Sequence, residues 1–271
     1  MARQQKFEDF DLYIFDIEGV LLDDIDNPKC YNDAFRLVDA LKKANKTVVC
    51  LSNVGRKSRR QVLKSLLSLG YPFDKQHVFS AGAIAASYFK KNHESARIFL
   101  ISEGGVLEDF KDMGLNVVDN PPVDFVVVAA DRTVTYSQLN FAANMLLQGA
   151  KLVGVGGGFF FEGTYLGIKG KFLGEDAFVY MLSKATGVEP LFIGKPHSIV
   201  YDVLMSVFNT EPEKTVMIGD KIETDVIGAK NAGLYSVLIN RGRYTKEQLL
   251  NLRPNEKPDL IVQTLNDLIK Q

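Results

Sequence analysis

Two apolar runs that each end in an aspartate constrain this chain more than any other feature of its sequence. Leu12–Phe15 is followed at once by Asp16, and Thr215–Ile218 is followed by Gly219 and Asp220. Short continuous apolar runs are typical of buried strands, and the carboxyl ends of strands in an open parallel sheet form one crevice. The sequence therefore predicts that Asp16 and Asp220 face each other. Such a pair of carboxylates suits a hard divalent cation.

Short β-rich runs alternate with helical periodicities along the rest of the chain. One helix face is marked by Ala34, Leu37, Val38 and Leu41, the next strand is Thr47–Leu51, and the helix after it stops at Gly70. This alternation is typical of a parallel sheet covered by helices. The predicted fold class is α/β, with a Rossmann-like parallel-sheet core.

A middle segment has a strand and helix cycle of its own. Its predicted strands are Arg97–Ile101, Phe125–Ala130, Lys151–Val155 and Tyr165–Ile168. A helix over 136–147 begins with Thr135 and Gln138 at capping-box spacing, and another helix ends at Gly187. The buried-strand pattern of the first domain resumes at Leu191-Phe192-Ile193. We predict a core domain over 1–79 and 188–271, with an α/β cap domain over 80–187 inserted into it.

The composition argues against several classes of binding partner and of structural site. The 271 residues are 46% apolar, which is enough for two packed cores, and the net charge of −1 gives no electrostatic footprint for nucleic acid or an anionic membrane. No signal peptide or membrane-length apolar run is apparent, and the two cysteines, Cys30 and Cys50, indicate neither a disulfide scaffold nor a zinc site. We expect a cytoplasmic protein that acts on small molecules.

Asp16 is the candidate nucleophile. A carboxylate that attacks phosphorus forms an acyl phosphate and divides one difficult hydrolysis into two displacements, provided that a cation neutralises the converging negative charges. The alternative is that Asp16 only caps a turn, as aspartates at strand ends often do.

The segment Gly219–Asp225 packs three carboxylates into a predicted strand-to-helix turn. Their mutual repulsion favours a nearby metal, which Asp220 would hold and Asp225 would support. The alternative is an acidic first helical turn that complements the helix dipole, which accounts for Glu223 and Asp225 better than for Asp220.

Two further strand ends carry candidate phosphate-binding groups. Ser52 and Asn53 follow the second strand and could offer a hydroxyl and a backbone N–H, although such turns are common. Lys195 follows Gly194 at another predicted strand end, where its ammonium could balance nucleophile and phosphoryl charge. On position alone a surface lysine is the usual interpretation, but the place of Lys195 at a strand end, where the crevice is expected, favours the functional one.

Taken in order, four motifs resemble those of the haloacid dehalogenase superfamily: Asp16-Ile17-Glu18-Gly19-Val20, Ser52-Asn53, Gly194-Lys195-Pro196, and Gly219-Asp220 to Thr224-Asp225. The large insertion between the second and third motifs resembles the cap of the class IIA, NagD-like phosphatases. The resemblance covers nearly the whole chain.

The resemblance implies a Mg²⁺-dependent phosphatase that acts on a small phosphomonoester. It makes Asp16 the nucleophile and gives Mg²⁺ the Asp16 carboxylate, the Glu18 backbone carbonyl and Asp220 as ligands, with Asp225 supporting the metal. The family usually has aspartate where this chain has Glu18, the side chain that protonates the leaving oxygen and then activates water.

The resemblance also implies that Ser52 and Asn53 bind the phosphate, that Lys195 steadies it, and that the caps pair into a homodimer. In the cap, related enzymes usually show Ala-Thr-Asn followed by an aspartate, whereas this chain has 154–161, Gly-Val-Gly-Gly-Gly-Phe-Phe-Phe. This loop is either a flexible turn or a substrate-facing loop with changed specificity.

Glu18 and the altered loop motivate an alternative function. The extra methylene of glutamate moves the carboxyl group by about an ångström, and a misplacement of that order can cost about a hundredfold in rate. The alternative is therefore a protein that keeps the fold and phosphate pocket but has lost efficient turnover. Phosphoryl transfer between sugar positions is a third hypothesis.

Overall fold

The computed structural model describes residues 6–165 and 167–269 of the chain. The strands are β1 Leu12–Phe15, β2 Thr47–Leu51, β3 Val78–Phe79, β4 Arg97–Ile101, β5 Asn116–Val117, β6 Phe125–Val128, β7 Lys151–Val155, β8 Phe160–Tyr165, β9 Ile168–Leu173, β10 Pro190–Ile193, β11 Thr215–Gly219, β12 Tyr235–Ile239 and β13 Leu260–Val262. The helices are α1 Asn32–Lys43, α2 Arg59–Ser68, α3 Ala81–Asn92, α4 Gly105–Asp112, α5 Tyr136–Leu147, α6 Glu175–Thr186, α7 Ile199–Phe208, α8 Ile227–Asn231, α9 Lys246–Leu250 and α10 Asn266–Ile269. The chain divides into two compact units.

The first unit runs to Ser52, includes Arg60–Phe79, and resumes at Lys195. Its parallel sheet has the order β13-β12-β11-β1-β2-β3. β1 is buried at all four residues because it is covered on both faces, which explains its uninterrupted apolar run. Its neighbours are β2 on one side and β11 on the other, so the strand order reverses at β1. The ends of β1 and β11 therefore form the switch point where ligands bind in open α/β sheets.

The predicted helix face after β1 is confirmed. α1 buries Ala34, Leu37, Val38 and Leu41, which recur at the spacing of one helical face. α2 ends at Ser68, and Gly70 beyond it has a φ of +83°, a conformation that favours glycine after a helix.

The second unit comprises Asn53–Arg59 and Ser80–Gly194. Its parallel sheet has the order β10-β7-β6-β4-β5, and β8 pairs with β9 as a separate antiparallel hairpin. α5 and α6 contribute Ala142, Met145, Val179 and Leu182 to a core formed with the sheet. The predicted capping box of α5 is confirmed: Thr135 accepts a hydrogen bond from the Gln138 N–H, and the Gln138 side chain accepts one from the Thr135 N–H. The predicted α/β class is confirmed as well.

Three strand predictions need correction. Leu191-Phe192-Ile193 does not return to the first sheet, because β10 pairs with β7 in the second sheet. The strand predicted at 165–168 is wrong: Tyr165 and Ile168 are the last pair of the β8–β9 hairpin, and Leu166 lies outside the described residues. β6 ends at Val128, two residues before the predicted end at Ala130.

The second unit also takes in 53–59 and 188–194, which the sequence analysis placed with the core. The pairing of β10 is the physical reason for the later boundary. The functional assignment of 1–79 and 188–271 as catalytic core and of 80–187 as cap stays a prediction. In the described part of the chain, no helix combines the length and apolarity needed to cross a membrane.

Candidate active site

The carboxyl ends of β1 and β11 bring three aspartates together. Asp16 directly follows β1 and Asp220 directly follows β11, and the Asp16 N–H continues the strand pairing by donating to the Ile218 carbonyl over 2.9 Å. Asp225 joins them, so that one carboxylate oxygen from each residue lies within 4.8 Å of the others. We call Asp16, Asp220 and Asp225 the carboxylate cluster. All three are buried, at 5%, 4% and 1% exposure.

Lys195 supplies a cation within this cluster. Its Nζ lies 2.7 Å from Asp16 Oδ1 and 2.7 Å from Asp225 Oδ1, and it also donates to the Leu51 carbonyl over 3.5 Å. Burial opposes the lysine charge, but the two carboxylates outweigh that penalty and raise the pKa of Lys195 above its ordinary value. Lys195 is therefore a charged residue in a buried position, held by its ion pairs.

Asp225 organises the loop that carries Asp220. Its Oδ2 accepts the backbone N–H groups of Asp220 and Lys221, each over 3.1 Å, and its Oδ1 receives Lys195 and the Thr224 hydroxyl. Burial raises the pKa of Asp225 to about 6, while Lys195 favours the charged form. The aspartate sits in a single π-helical turn, Ile222–Val226, of a kind that is frequent at functional sites.

Two glycines allow the close approaches in this region. A Cβ at Gly219 would lie 2.2 Å from the Asp225 Cβ, so any side chain there would displace Asp225. Gly19 has a φ of +85°, and a Cβ on it would lie 2.2 Å from Asp220 Oδ2. Both motif glycines are therefore required by the packing around the carboxylate cluster.

Asp220 has one oxygen in use and one unsatisfied. Arg243 donates to its Oδ2 from Nε over 3.0 Å and from Nη2 over 2.7 Å. Its Oδ1 is buried and has no hydrogen-bond partner among the described residues. Burial and the nearby Asp16 raise the pKa of Asp220 against the opposing effect of Arg243.

Arg243 was not identified from the sequence. It lies in the loop after β12, and β12 is the neighbour of β11 in the sheet. The available signal was its position just beyond an apolar strand run, the same signal that identified Asp16 and Asp220. That signal was not decisive because the strand order was unknown.

Glu18 lies beside the carboxylate cluster along the chain, but its side chain makes a different contact. Glu18 Oε1 accepts the Ile25 N–H over 3.1 Å. Burial raises the pKa of Glu18, and the Ile25 hydrogen bond acts in the opposite direction. Its roles as acid and base and as a carbonyl metal ligand stay predictions.

The predicted phosphate-binding pair lies at the end of β2. Ser52 is buried, and its backbone N–H donates to the Phe79 carbonyl over 2.9 Å, which extends the pairing of β2 with β3. Asn53 is the first residue of the second unit. Their roles in phosphate binding stay predictions, as does that of Lys195.

The glycine-rich loop after β7 is anchored within the second unit. The Gly157 N–H donates to Glu175 Oε1 over 2.7 Å, and the Gly158 N–H donates to Asp176 Oδ2 over 2.9 Å. Glu175 is buried, and burial raises its pKa to about 7. A flexible turn is one of the two alternatives predicted for this loop, but these bonds tie it to the first turn of α6. The acidic pair Glu175 and Asp176 at the start of α6 is the sequence signal that could have predicted this anchoring.

The carboxylate cluster suits a divalent cation of the Mg²⁺ type. Mg²⁺ is usually bound by one or two carboxylates together with water. The unsatisfied Asp220 Oδ1 and the neighbouring Asp16 provide oxygen ligands, and a buried acceptor without a partner is costly unless something occupies it. The residues present therefore fit the metal that the family resemblance implies.

Two family models match the chain. A haloacid dehalogenase (HAD)-like hydrolase model matches residues 13–116, and a HAD-hydrolase-like model matches residues 192–268. The first match contains Asp16, and the second contains Lys195 and both aspartates of the Asp220 loop. The chain belongs to the haloacid dehalogenase superfamily. This confirms the resemblance inferred from the four motifs.

Curated relatives and solved structures agree with this membership and with class IIA. A 5'-nucleotidase of Bacillus subtilis is 26% identical over 95% of this chain and 96% of its own length. An acid sugar phosphatase of Staphylococcus epidermidis is 25% identical over 89% and 90% of the two chains. The crystal structure of a 4-nitrophenylphosphatase from Thermotoga maritima matches with a TM-score of 0.87 at 27% identity, covering 98% of each chain. The relatives are phosphatases, so the chain is a hydrolase-type member of the superfamily.

Proposed function

We propose that the protein is a cytoplasmic, Mg²⁺-dependent phosphatase that hydrolyses a small phosphomonoester through an aspartyl-phosphate on Asp16. The observation that carries the proposal is the carboxylate cluster with Lys195 Nζ 2.7 Å from two of its members. A nucleophilic carboxylate can approach a phosphate dianion only where positive charge offsets the repulsion. Lys195 supplies part of that charge.

Two displacements at phosphorus make up the proposed reaction. In the first, an oxygen of Asp16 forms a bond to phosphorus while the ester oxygen leaves and takes a proton from Glu18. In the second, water attacks the same phosphorus, Glu18 accepts the proton of that water, and the Asp16 carboxylate leaves. The raised pKa of Glu18 favours its protonated form at the start of the cycle.

Mg²⁺ bound by Asp16, Asp220 and the Glu18 carbonyl would neutralise charge on the phosphoryl oxygens. Asp225 would keep that site in shape, because it fixes the backbone of Asp220 and Lys221. Ser52 and Asn53 would hold the phosphate. The substrate classes to consider follow from the relatives: nucleotides, sugar phosphates and phosphoglycolate.

The alternative is a phosphate-binding or regulatory protein with attenuated turnover. The observation that favours it is the glutamate at position 18, whose carboxyl group is bonded to the Ile25 N–H. A general acid must reach the leaving oxygen, so this contact would have to open during the reaction.

The decisive experiment measures phosphate release from 4-nitrophenyl phosphate, nucleoside monophosphates, sugar phosphates and phosphoglycolate, each with and without Mg²⁺. Wild-type protein is compared with Asp16→Asn prepared identically. We expect Mg²⁺-dependent release that falls to the uncatalysed background in the variant. Phosphate binding without turnover on any ester would favour the regulatory alternative.

A homodimer formed through the second unit is part of the proposal. Phe159, Phe160, Ile168 and Leu173 are all more than half exposed on or beside the β8–β9 hairpin. Such exposed apolar side chains favour burial against a partner. Light scattering should give a dimer mass for the wild type and a monomer mass for Phe160→Asp; a monomeric wild type would contradict this part.

A further inference from the structure

The loop after β12 places a second cation on the carboxylate cluster. Arg243 holds Asp220 Oδ2 with two of its nitrogens, at 3.0 and 2.7 Å. The side chain of Arg243 is 47% exposed and the side chain of Asp220 is 6% exposed, so the guanidinium reaches inward from the surface to a buried carboxylate.

Hydrogen bonds on both sides of Arg243 fix this loop. The Asn240 side chain donates to the Tyr244 carbonyl over 2.9 Å and accepts the Tyr244 N–H over 3.0 Å. The Tyr244 hydroxyl accepts the Ile222 N–H over 2.9 Å and donates to Glu223 Oε2 over 2.9 Å. The loop is therefore bound to the turn that follows Asp220, and the arginine is held where it meets that carboxylate.

The two cations divide the cluster between them. Lys195 pairs with Asp16 and Asp225, and Arg243 pairs with Asp220. Two cationic side chains thus pair with the three carboxylates before any metal binds, and Lys221 also attracts Asp220. A divalent cation that binds at Asp220 must share this carboxylate with the Arg243 guanidinium. Because both would contact the same carboxylate, the cation and the guanidinium repel each other.

We propose that Arg243 is a positioning residue that lowers the affinity of the cluster for its divalent cation by competing for Asp220. The inference rests on the proposed function, because it takes the cluster to be the metal site. It assigns to Arg243 the task of neutralising Asp220 when the metal is absent. Removing the arginine should make the metal-free carboxylate cluster more negative. Binding of the divalent cation to the cluster should then be more favourable.

The test measures Mg²⁺ and Mn²⁺ binding by calorimetry on wild type, Arg243→Gln and Arg243→Lys. We expect Arg243→Gln to bind the cation about tenfold more tightly and Arg243→Lys, which keeps the charge, to return toward the wild-type affinity. The rise in melting temperature at a fixed cation concentration should be larger for Arg243→Gln, since that rise follows affinity. Neither readout requires turnover.

Arg241→Gln is the matched control, because Arg241 lies in the same loop but pairs with Asp33 over 2.8 Å. Its cation affinity should equal that of the wild type. Equal or weaker binding by Arg243→Gln would overturn the inference while leaving the proposed function standing. If wild type and all variants bind no cation, and Asp220→Asn gives the same blank, the proposed metal site fails and the inference fails with it.

Discussion

Each unit of this chain builds a parallel sheet and buries carboxyl groups, but the two units stabilise those groups differently. In the first unit, Asp16 and Asp225 share Lys195, a side chain with 2% exposure. In the second unit, Glu175 accepts the Gly157 N–H, and burial raises its pKa to about 7 despite the opposing effect of its backbone hydrogen bonds. Burial thus favours the neutral form of both Asp225 and Glu175, and Lys195 opposes that effect at Asp225.

The parallel sheet itself therefore does not set the chemistry of its edge. The first unit holds opposite charges together where a reacting phosphate could use them. The second unit uses its acidic residues to fasten a glycine-rich loop to a helix start.

Replacing Lys195 should give the largest loss of stability. Lys195→Met leaves Asp16 and Asp225 buried without their shared cation, and breaking a buried ion pair from one side costs about 3–5 kcal/mol. Urea denaturation near pH 8 should show that loss in the free energy of unfolding. Lys43→Met is the control, because Lys43 is 76% exposed at its side chain, and it should stay within about 0.5 kcal/mol of wild type. A loss below about 1 kcal/mol for Lys195→Met would erase the contrast between the units.

Glu175 should make the stability of the protein depend on pH. Its pKa is about 7 in the folded state against an ordinary 4.5, so its contribution is fully present below pH 4.5 and is lost as the pH rises through 7. Glu175→Gln should remove that dependence and be the more stable form at pH 8, by up to about 3 kcal/mol.

Unfolding in urea at pH 5 and at pH 8 measures this difference. Glu189→Gln, at an exposed position in the same unit, should keep the wild-type dependence. Parallel pH profiles for wild type and Glu175→Gln would show that folding does not raise the pKa of Glu175, and the prediction would be wrong.

Glu18 should affect rate rather than stability. Glu18→Gln cannot donate and accept the proton, so turnover should fall about a hundredfold or more, whereas Glu18→Asp should keep or raise it. Steady-state phosphate release under saturating Mg²⁺ is the measurement, with Glu189→Gln as the control. Equal rates in wild type and both Glu18 variants would exclude a proton-transfer role.

The smallest effect should come from two matching helix caps. Thr135 and Thr245 each accept the N–H of a glutamine three residues on, over 3.2 Å. α5 buries Ala142, Met145 and Leu146, whereas α9 buries none of its residues. Thr135→Ala should therefore cost about 1 kcal/mol and Thr245→Ala less, since a short exposed helix can fray without unfolding its unit.

Thermal and urea unfolding of the two alanine variants, with Thr135→Ser as the control that keeps the cap, would measure these costs. A larger loss in the free energy of unfolding for Thr245→Ala than for Thr135→Ala would contradict the expectation that the cap of the more buried helix matters more.

Local sequence patterns predicted several strands, a helix cap and one buried helix face of the fold. The apolar runs at Leu12–Phe15 and Thr215–Ile218 predicted both strands and the meeting of Asp16 with Asp220, because strand ends in a parallel sheet share one edge. The Thr135 cap and the buried face of α1 followed from spacing alone. Each of these features depends on neighbours in sequence or on a general property of sheets.

Other features depended on which strand lies beside which. An apolar run such as Leu191–Ile193 fits either sheet, and only its pairing with β7 assigned it to the second unit. Arg243 could not be connected to Asp220 until β12 was known to be the neighbour of β11. The anchoring of the glycine-rich loop by Glu175 likewise required the start of α6 to return to the end of β7.

The sequence by itself determined the strand and helix periods and the four motifs, because these are set by residue type and short-range spacing. The tertiary structure decided the sheet order, the extent of the two units, and the pairing of Lys195 and Arg243 with their carboxylates. The sheet order, the extent of the units and these ion pairs arise from long-range packing. In such packing, the burial of whole strands and helices outweighs the local conformational preferences of the residues in contact.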